Sequence, residues 1–280
     1  MSGFSPQWLA LREPADHGAR APALASQVFD HFAARDHVTI LDLGCGTGSN
    51  LRAMSNRLPQ HQIWRLVDWD HSLLDAARGR LVAWADEAMA DGGAVALRKG
   101  AHEINLQLEQ ADLAQGFEAV LAAHADLVTA TAFFDLVSAQ WIDDFCAALA
   151  RRRLPLYAIL TYDGQETWEP PHPGDAKVLA AFHAHQAQDK GFGPAAGPFA
   201  AAHLARVLEE DHNYRVTTAP SPWQLDQGQS LLIGELARGA ADAVAETGLV
   251  PADELASWRA AREQATACTI GHVDLFATPP

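Results

Sequence analysis

Residues 38–48 read Val-Thr-Ile-Leu-Asp-Leu-Gly-Cys-Gly-Thr-Gly. The first six residues form a continuous aliphatic and β-branched run, which is typical of a strand buried on both faces of a parallel sheet. The glycines at 44, 46 and 48 then let the backbone turn tightly and approach a ligand without obstruction by a Cβ atom. The stretch therefore predicts a buried strand, a ligand-binding turn and a following helix.

Short apolar runs alternate with segments of helical period outward from this turn. Leu74, Ala77 and Leu81 recur at helical spacing, whereas apolar and polar residues alternate over 103–111, as in an exposed or edge strand. Strands that alternate with helices pair in parallel through right-handed crossovers, so the pattern predicts a doubly wound α/β sheet. The predicted strands are 38–43, 63–67, 103–111, 126–134 and 154–160, and the predicted helices are 51–58, 74–88 with a stop at Gly92-Gly93, and a helix marked by Ile142, Phe145 and Leu149.

The second half of the chain is less regular. Paired prolines and glycines surround one helix, 176–188, and we expect residues 164–200 to form an insertion that closes over a ligand site at the carboxyl ends of the strands. Its candidate ligand contacts are Trp168, His172, Lys190 and Phe192. The alternative is a surface excursion that packs on the flank of the sheet or on a second subunit. Beyond it we predict helices at 199–210, 228–246 and 252–264, and strands at 214–217 and 269–276.

Composition restricts the class of protein and its partners. The chain has 280 residues, of which 49% are apolar and 20% are charged, and its net charge is −15. This surplus of acidic residues argues against DNA, long RNA and membrane surfaces as partners. The cysteines, Cys45, Cys146 and Cys268, are too far apart for a metal knuckle, and residues 1–14 lack a signal-peptide pattern. These features predict a cytoplasmic protein, either a monomer or a homodimer.

The glycine spacing distinguishes between cofactor classes. A dinucleotide turn has the pattern G-x-G-x-x-G, but position 49 is Ser49, so the spacing here is G-x-G-x-G and NAD is disfavoured. A phosphate-binding P-loop is excluded because no Gly-Lys-Ser/Thr sequence closes the turn. A carboxylate about 20 residues past a glycine turn is the group that accepts from the two ribose hydroxyls, and Asp68 lies at that distance.

The stretch Ile40 to Gly48 resembles the cofactor loop of class I S-adenosylmethionine-dependent methyltransferases. The resemblance covers residues 37–163 and implies a doubly wound, mostly parallel seven-stranded sheet of the Rossmann-like methyltransferase type with a helical cap insertion. We therefore expect one methyltransferase domain over 1–280. It would consist of N-terminal cap helices (1–36), a cofactor-binding core (37–163), the cap insertion (164–200) and the C-terminal half of the sheet (201–280).

The resemblance also implies residues that bind S-adenosyl-L-methionine. Asp68 would hold the ribose, Trp69 would flank the adenine, and Asp112 with Leu113 would read the adenine edge. Arg20 would reach the carboxylate of the cofactor from an N-terminal helix, with a solvated helix arginine as the alternative. The full predicted set is Arg20, Asp42, Gly44, Cys45, Gly46, Gly48, Asp68, Trp69, Asp112, Leu113 and Thr131.

Methyl transfer is a displacement at an activated carbon, so a general base is optional. If the acceptor must lose a proton, the candidates at the ends of the fourth and fifth strands are Asp135, Tyr162 and Asp163. The Asn-Pro-Pro-aromatic motif of enzymes that methylate amino groups of nucleic acids and proteins is absent from 130–135, which favours a small-molecule acceptor. A protein or RNA methyltransferase and a non-catalytic cofactor-binding protein are the alternatives. We predict no metal site, because His183 and His185 would point to different faces of a helix.

Overall fold

The run that ends in the glycine turn forms the central strand β1 (His37–Leu43). It pairs in parallel with β2 (His61–Asp68) and β6 (Leu127–Thr131), as a strand buried on both faces must. This computed structural model describes residues 4–91, 94–189 and 191–280. Gly92, Gly93 and Lys190, which were given roles above, lie outside the described residues.

Strands and helices alternate through most of the described chain. None of the described helices is both long enough and apolar enough to cross a bilayer. The other strands are β3 (Glu87–Asp91), β4 (Ala94–Lys99), β5 (His102–Gln110), β7 (Leu156–Glu169), β8 (Arg215–Pro220), β9 (Trp223–Leu225) and β10 (Ala267–Thr278). The helices are α1 (Pro6–Ala19), α2 (Pro22–Phe32), α3 (Ser49–Met54), α4 (His71–Trp84), α5 (Leu113–Ala122), α6 (Ala139–Arg152), α7 (Asp175–Gln186), α8 (Ala200–Arg206), α9 (Ser230–Thr247) and α10 (Ala252–Arg262).

The described strands form one ten-stranded sheet in the order β3-β4-β5-β2-β1-β6-β7-β10-β8, with β9 paired to β10. Strands β5, β2, β1, β6 and β7 are parallel, whereas β10 is antiparallel to both β7 and β8. The predicted doubly wound, mostly parallel fold is confirmed. The expected seven strands run from β5 to β8, and the prediction of seven misses β3, β4 and β9.

A β-hairpin formed by β3 and β4 begins where we expected the last turn of the predicted 74–88 helix. We predicted a helix to residue 88, but α4 ends at Trp84 and Asp86 instead accepts hydrogen bonds from Lys99 Nζ and the Gly100 N–H, both at 2.8 Å. Strand β3 follows and pairs with β4, which covers the edge of β5 that the alternation pattern had suggested was exposed. Ala88 fits the period of the predicted helix, but it is exposed, so a helix over this residue would gain no stability from burying it.

Two apolar cores lie on the two faces of the sheet, and β1 contributes to both. Leu41 and Leu43 face one core, which includes residues of α5, α6 and α8. Val38 and Ile40 face the other, which includes residues of α2, α3 and α4. This alternation is the period of two that a strand imposes on its side chains.

A third core was not predicted. Strand β7 does not end near residue 160 but continues to Glu169, so the expected insertion begins inside a strand. Its outer half pairs with β10 and packs with residues of α1, α7, α9 and α10. Trp168 is buried there, with its ring centroid 5.9 Å from that of Trp258. Helix α7 agrees with the predicted 176–188 helix to within two residues at either end.

A single buried carboxylate connects three elements of the fold. Asp274 of β10 is fully buried and accepts hydrogen bonds from the Leu160 N–H of β7 at 2.8 Å and from the Ala21 N–H before α2 at 2.9 Å. Leu160 has φ +55°, a left-handed conformation that an L residue with a large side chain adopts only when its surroundings hold it there.

We predict that Asp274→Ala lowers the free energy of unfolding by about 3 kcal/mol, because two buried N–H groups lose their acceptor. Urea unfolding followed by circular dichroism measures the change. Asp242→Ala is the matched control, since its side chain is 75% exposed, and we expect a change within about 0.5 kcal/mol. Equal stability of the two variants would contradict the bridging role of Asp274.

Candidate functional site

The glycine turn after β1 has a backbone that only glycine adopts readily. Gly44, Gly46 and Gly48 have φ values of +61°, +54° and +76°. A Cβ atom at Gly44 would lie 2.9 Å from Cδ2 of Phe133, and one at Gly48 would lie 2.9 Å from Cδ1 of Leu81. The side chains of Phe133 and Leu81 therefore pack against the turn from two directions, and the backbone of the turn is the surface that remains for a ligand.

Asp68 lies directly against this turn, at the end of β2. Its carboxylate accepts hydrogen bonds from the Gly46 N–H at 2.9 Å and from the Asp70 N–H at 3.0 Å. The Cys45 N–H also donates to the carbonyl of Val67 at 3.0 Å, so the turn is held to β2 at two points. Burial raises the pKa of Asp68. Each oxygen keeps a further lone pair that could accept from a hydroxyl group.

A buried polar chain runs from Asp42 to Arg20. Asp42 accepts from Asn50 Nδ2 and Thr129 Oγ1, both at 2.8 Å, and burial raises the pKa of Asp42 to about 6. Arg20 Nη1 donates to Asn50 Oδ1 at 2.9 Å. The Nε and Nη2 atoms of Arg20 are buried and have no hydrogen-bond partner within the described residues. A guanidinium that keeps two free donors in this way is arranged to bind a planar anion such as a carboxylate.

Helix α1 packs over the turn and its following helix. Leu9 Cδ1 would lie 3.1 Å from a Cβ atom at Gly46, and His17 Nε2 lies 2.9 Å from Ser49 Oγ. Glu13 forms a bidentate ion pair with Arg52, with both N–O distances at 2.7 Å. The spacing of positions 9, 13 and 17 places these side chains on one face of the helix, and Arg20 is the residue that directly follows its last turn. Of these residues the sequence predicted only Arg20.

The residues assigned to adenine lie at the ends of β2 and β5. Trp69 is 50% exposed, and Gln110 Nε2 donates to its carbonyl at 3.0 Å. Asp112 is exposed and caps α5, because its carboxylate accepts from the Ala114 N–H at 2.9 Å. Leu113 is buried. The structure brings Trp69, Asp112 and Leu113 to one edge of the sheet, and their contact with an adenine stays a prediction.

Two of the three candidate bases lie together, Asp135 in the turn after β6 and Tyr162 inside β7; because β7 continues to Glu169, Tyr162 and Asp163 are not at the end of the strand as expected. Asp135 is buried, its Oδ1 has no partner within the described residues, and the backbone of Tyr162 hydrogen-bonds to its carboxylate. Burial raises the pKa of Asp135 to about 6, although the charge of Arg12 opposes the rise. Thr131 Oγ1 is also buried and unpartnered in the same part of the chain. Asp163 instead packs against Gly271 and caps its own turn.

Tyr162 extends from this group toward the third core. Its hydroxyl donates to Glu166 Oε1 at 2.9 Å and lies 3.0 Å from His183 Nε2. Burial and then the charge of Glu166 raise the pKa of Tyr162 far above its ordinary value. Tyr162 therefore remains protonated at neutral pH and acts as a hydrogen-bond donor.

Sequence reasoning missed a second polar group beside Asp135. Arg12 binds Asp16 through two nitrogens at 3.0–3.2 Å, and its Cζ atom lies 5.0 Å from the centre of the Trp223 ring. His272 lies 5.2 Å from the same ring and opposite Tyr162 across β10 and β7; burial lowers the pKa of His272 to about 3. The i, i+4 spacing of Arg12 and Asp16 could have predicted their ion pair on a helix. No local pattern marks Trp223 or His272.

Segment 192–198 of the predicted insertion does approach this region. Phe192 packs edge-on against Phe133, with ring centroids 5.9 Å apart, and Phe133 is the ring that closes over Gly44. The Ala196 N–H donates to the carbonyl of Val137 at 2.7 Å. Trp168 and His172 instead lie on the third core and in the turn before α7.

The fold matches solved structures at low sequence identity. A cyclopropane-fatty-acyl-phospholipid synthase-like protein from Lactobacillus casei ATCC 334 has a TM-score of 0.53 at 13% identity, over 98% of this chain and 94% of that chain. A cyclopropane synthase from Mycobacterium tuberculosis has a TM-score of 0.49 at 13% identity, with the same coverage. The plantazolicin methyltransferase BpumL, solved in complex with SAH, has a TM-score of 0.46 at 10% identity, over 97% and 86%.

The match to the Lactobacillus casei protein, with a TM-score above 0.5, shows the fold of this chain. It is the Rossmann-like methyltransferase fold. No protein-family model matches the sequence, and no curated protein matches it. The chemistry of this chain therefore has to be argued from its own residues.

We predict that Asp135→Asn gains stability relative to the native chain as the pH rises. Folded Asp135 keeps its proton up to about pH 6, whereas the unfolded group loses it near 3.8, so stability that depends on neutral Asp135 is lost as the pH rises through this window. Asparagine removes that loss. Between about pH 4.5 and pH 7 the variant should gain about 2 kcal/mol on the native chain.

Urea unfolding at the two pH values measures this difference. Asp144→Asn, on the exposed side of α6, makes the same change in charge and should show no comparable gain. A pH-independent offset between Asp135→Asn and the native chain would mean that Asp135 titrates normally.

Proposed function

We propose that this protein binds S-adenosyl-L-methionine and transfers its methyl group to a small-molecule acceptor. The observation that carries this proposal is the buried guanidinium of Arg20, which keeps two free donors near the turn that Asp68 also borders. The cofactor has a ribose diol at its centre and a free α-carboxylate at one end. Asp68 would accept from the diol, and Arg20 would bind the carboxylate.

The glycine turn supports the same assignment. Its backbone would lie along the cofactor between these two anchors, while Trp69, Asp112 and Leu113 would surround the adenine. When bound, the cofactor supplies a methyl carbon activated by a sulfonium leaving group. The protein then has to hold the acceptor in line and exclude water, which together account for up to about 7–11 kcal/mol in well-oriented systems.

Asp135 is the group best suited to take a proton from the acceptor. Its pKa of about 6 leaves it ionised at neutral pH but close to the operating range of a general base. Tyr162 is not assigned the role of base, since its raised pKa keeps it protonated and its hydroxyl hydrogen is donated to Glu166. Asp163 takes no part in this proposal, because its oxygens are occupied by Gln165.

The surroundings of the site favour a small acceptor. Segment 192–198 and helix α1 both lie next to the residues that would surround the methyl group, and the acidic surface disfavours a polyanionic partner. All three cysteines are free and buried, which fits the proposed cytoplasmic location. A monomer or a homodimer remains our proposal for the assembly.

Calorimetry on the full chain tests cofactor choice. We expect S-adenosylhomocysteine to bind and NAD to give no heat of binding, because Ser49 replaces the third glycine of a dinucleotide turn. NAD binding without a response to S-adenosylhomocysteine would overturn the proposal. Transfer is tested with methyl-deuterated cofactor and a mixture of small metabolites, with labelled products detected by mass spectrometry. Cofactor binding without any labelled product would favour a non-catalytic binding protein.

Arg20 and Asp68, the two proposed cofactor contacts, predict different responses to two ligands. Arg20→Gln should weaken S-adenosylhomocysteine by about 10–100-fold but leave 5′-methylthioadenosine unchanged, because only the former carries the carboxylate. Asp68→Asn should weaken both, since both carry the ribose diol. Asparagine is preferred to alanine here because it retains one acceptor for the turn. Arg206→Gln on α8 is the control for charge, and unchanged affinity of Arg20→Gln would remove Arg20 from the site.

A further inference from the structure

A cavity of about 280 Å³ lies between the outer half of β7 and helices α7, α9 and α10. Most of its wall is apolar, from Trp168, Trp258, Phe182, Val178 and Leu179. Two carboxylates, Glu166 and Asp175, complete it. We propose that this cavity binds a small organic ammonium ion.

The charges around the cavity leave a negative surplus. Glu166 accepts from the Tyr162 hydroxyl at 2.9 Å; burial raises the pKa of Glu166, and the negative charge of Asp175 nearby raises it further. Asp175 accepts from Trp258 Nε1 at 2.8 Å and has one cation nearby, Arg262, whose Nε lies 3.8 Å away. One guanidinium thus faces two carboxylates. A ligand with a single positive charge would balance them.

The aromatic wall suits the same ligand. The rings of Trp168 and Trp258 meet at 78°, and the indole N–H of Trp258 is already used by Asp175. The rings therefore offer carbon surface to the cavity, and aromatic faces attract ammonium groups. The chain already uses Trp168 in this way, since Cζ of Arg262 lies 5.9 Å from the centre of its ring.

Other ligand classes fit less well. An anion would be repelled by Glu166 and Asp175, and a neutral apolar ligand would leave the surplus negative charge of the two carboxylates uncompensated. The volume lies just below the range of pockets for drug-sized ligands, which indicates a small molecule. Ala176 is exposed and Asp175 is partly exposed, so solvent reaches the cavity at the first turn of α7.

This site is separate from the proposed cofactor site. Tyr162 lies between the two, because its backbone hydrogen-bonds to Asp135 whereas its hydroxyl bonds to Glu166 on the cavity wall. Binding of an ammonium ion can therefore be measured on the chain without any cofactor, and its outcome does not depend on methyl transfer.

Calorimetry with two probes of nearly the same shape tests the proposal. Choline carries a quaternary ammonium group, and 3,3-dimethylbutan-1-ol replaces its nitrogen with carbon and has no charge. We expect choline to bind with a Kd of about 1 mM or tighter and the alcohol to bind at least about tenfold more weakly. Equal binding of the two, or no choline binding up to about 10 mM, would overturn the proposal.

Two variants locate the binding in the cavity. Glu166→Gln keeps the shape but removes a charge, and Ala240→Leu fills the cavity from α9 without changing any charge. Each should weaken choline by about tenfold or more, and Glu263→Gln, at a partly exposed residue that forms an ion pair with Arg259, should not. Thermal melts confirm folding. If Glu166→Gln does not fold, Ala240→Leu decides, and unchanged choline binding by that variant would mean that the ion binds elsewhere.

Discussion

The left-handed backbone at Gly44, Gly46 and Gly48 is the constraint on which the rest of the site depends. Left-handed φ values at alternate positions curl the chain back over the end of β1 and place the Gly46 N–H on Asp68. A side chain at Gly44 would force Phe133 away, and Phe133 is also the ring on which Phe192 packs. The turn thus sets the position of Asp68, of the end of β6 and of the segment that covers them.

Local periodicity explains how much of the fold could be predicted from sequence. Strands β1, β2 and β6 are short apolar runs and β5 alternates apolar and polar residues, and these four strands and the first half of β7 were predicted at nearly their observed places. The outer half of β7 was missed because its stability comes from β10, about 100 residues further along the chain, where Cys268 pairs with Trp168. The third core follows from that pairing. Such long-range antiparallel contacts leave no periodic signal in the segment where they begin.

The candidate site likewise contains some residues that the sequence predicts and others that it does not. Asp42, Asp68 and the glycines come from the stretch around β1 and β2; spacing predicted Asp68 and the glycines, and the family resemblance of Ile40 to Gly48 implied Asp42. Trp223 and His272 reach the site from β9 and β10, and nothing in their own neighbourhoods predicts it. The two histidines of α7 have different partners. His183 contacts Tyr162 whereas His185 pairs with Glu246, and the described residues contain no group of three side chains that could hold a metal ion.

Helix α1 contributes to the site because it positions two positive charges beside buried carboxylates. Burial raises the pKa values of Asp42 and Asp135, and in each case an arginine of the N-terminal segment opposes the rise, Arg20 for Asp42 and Arg12 for Asp135. Arg12 lies on α1 and Arg20 directly follows its last residue, so the docked helix positions both cations at the carboxyl edge of the sheet. Undocking of α1 would leave the two carboxylates without their compensating charges, which favours their neutral forms and removes the free donors of Arg20. The protonation of Asp42 and Asp135 would therefore change with the position of α1.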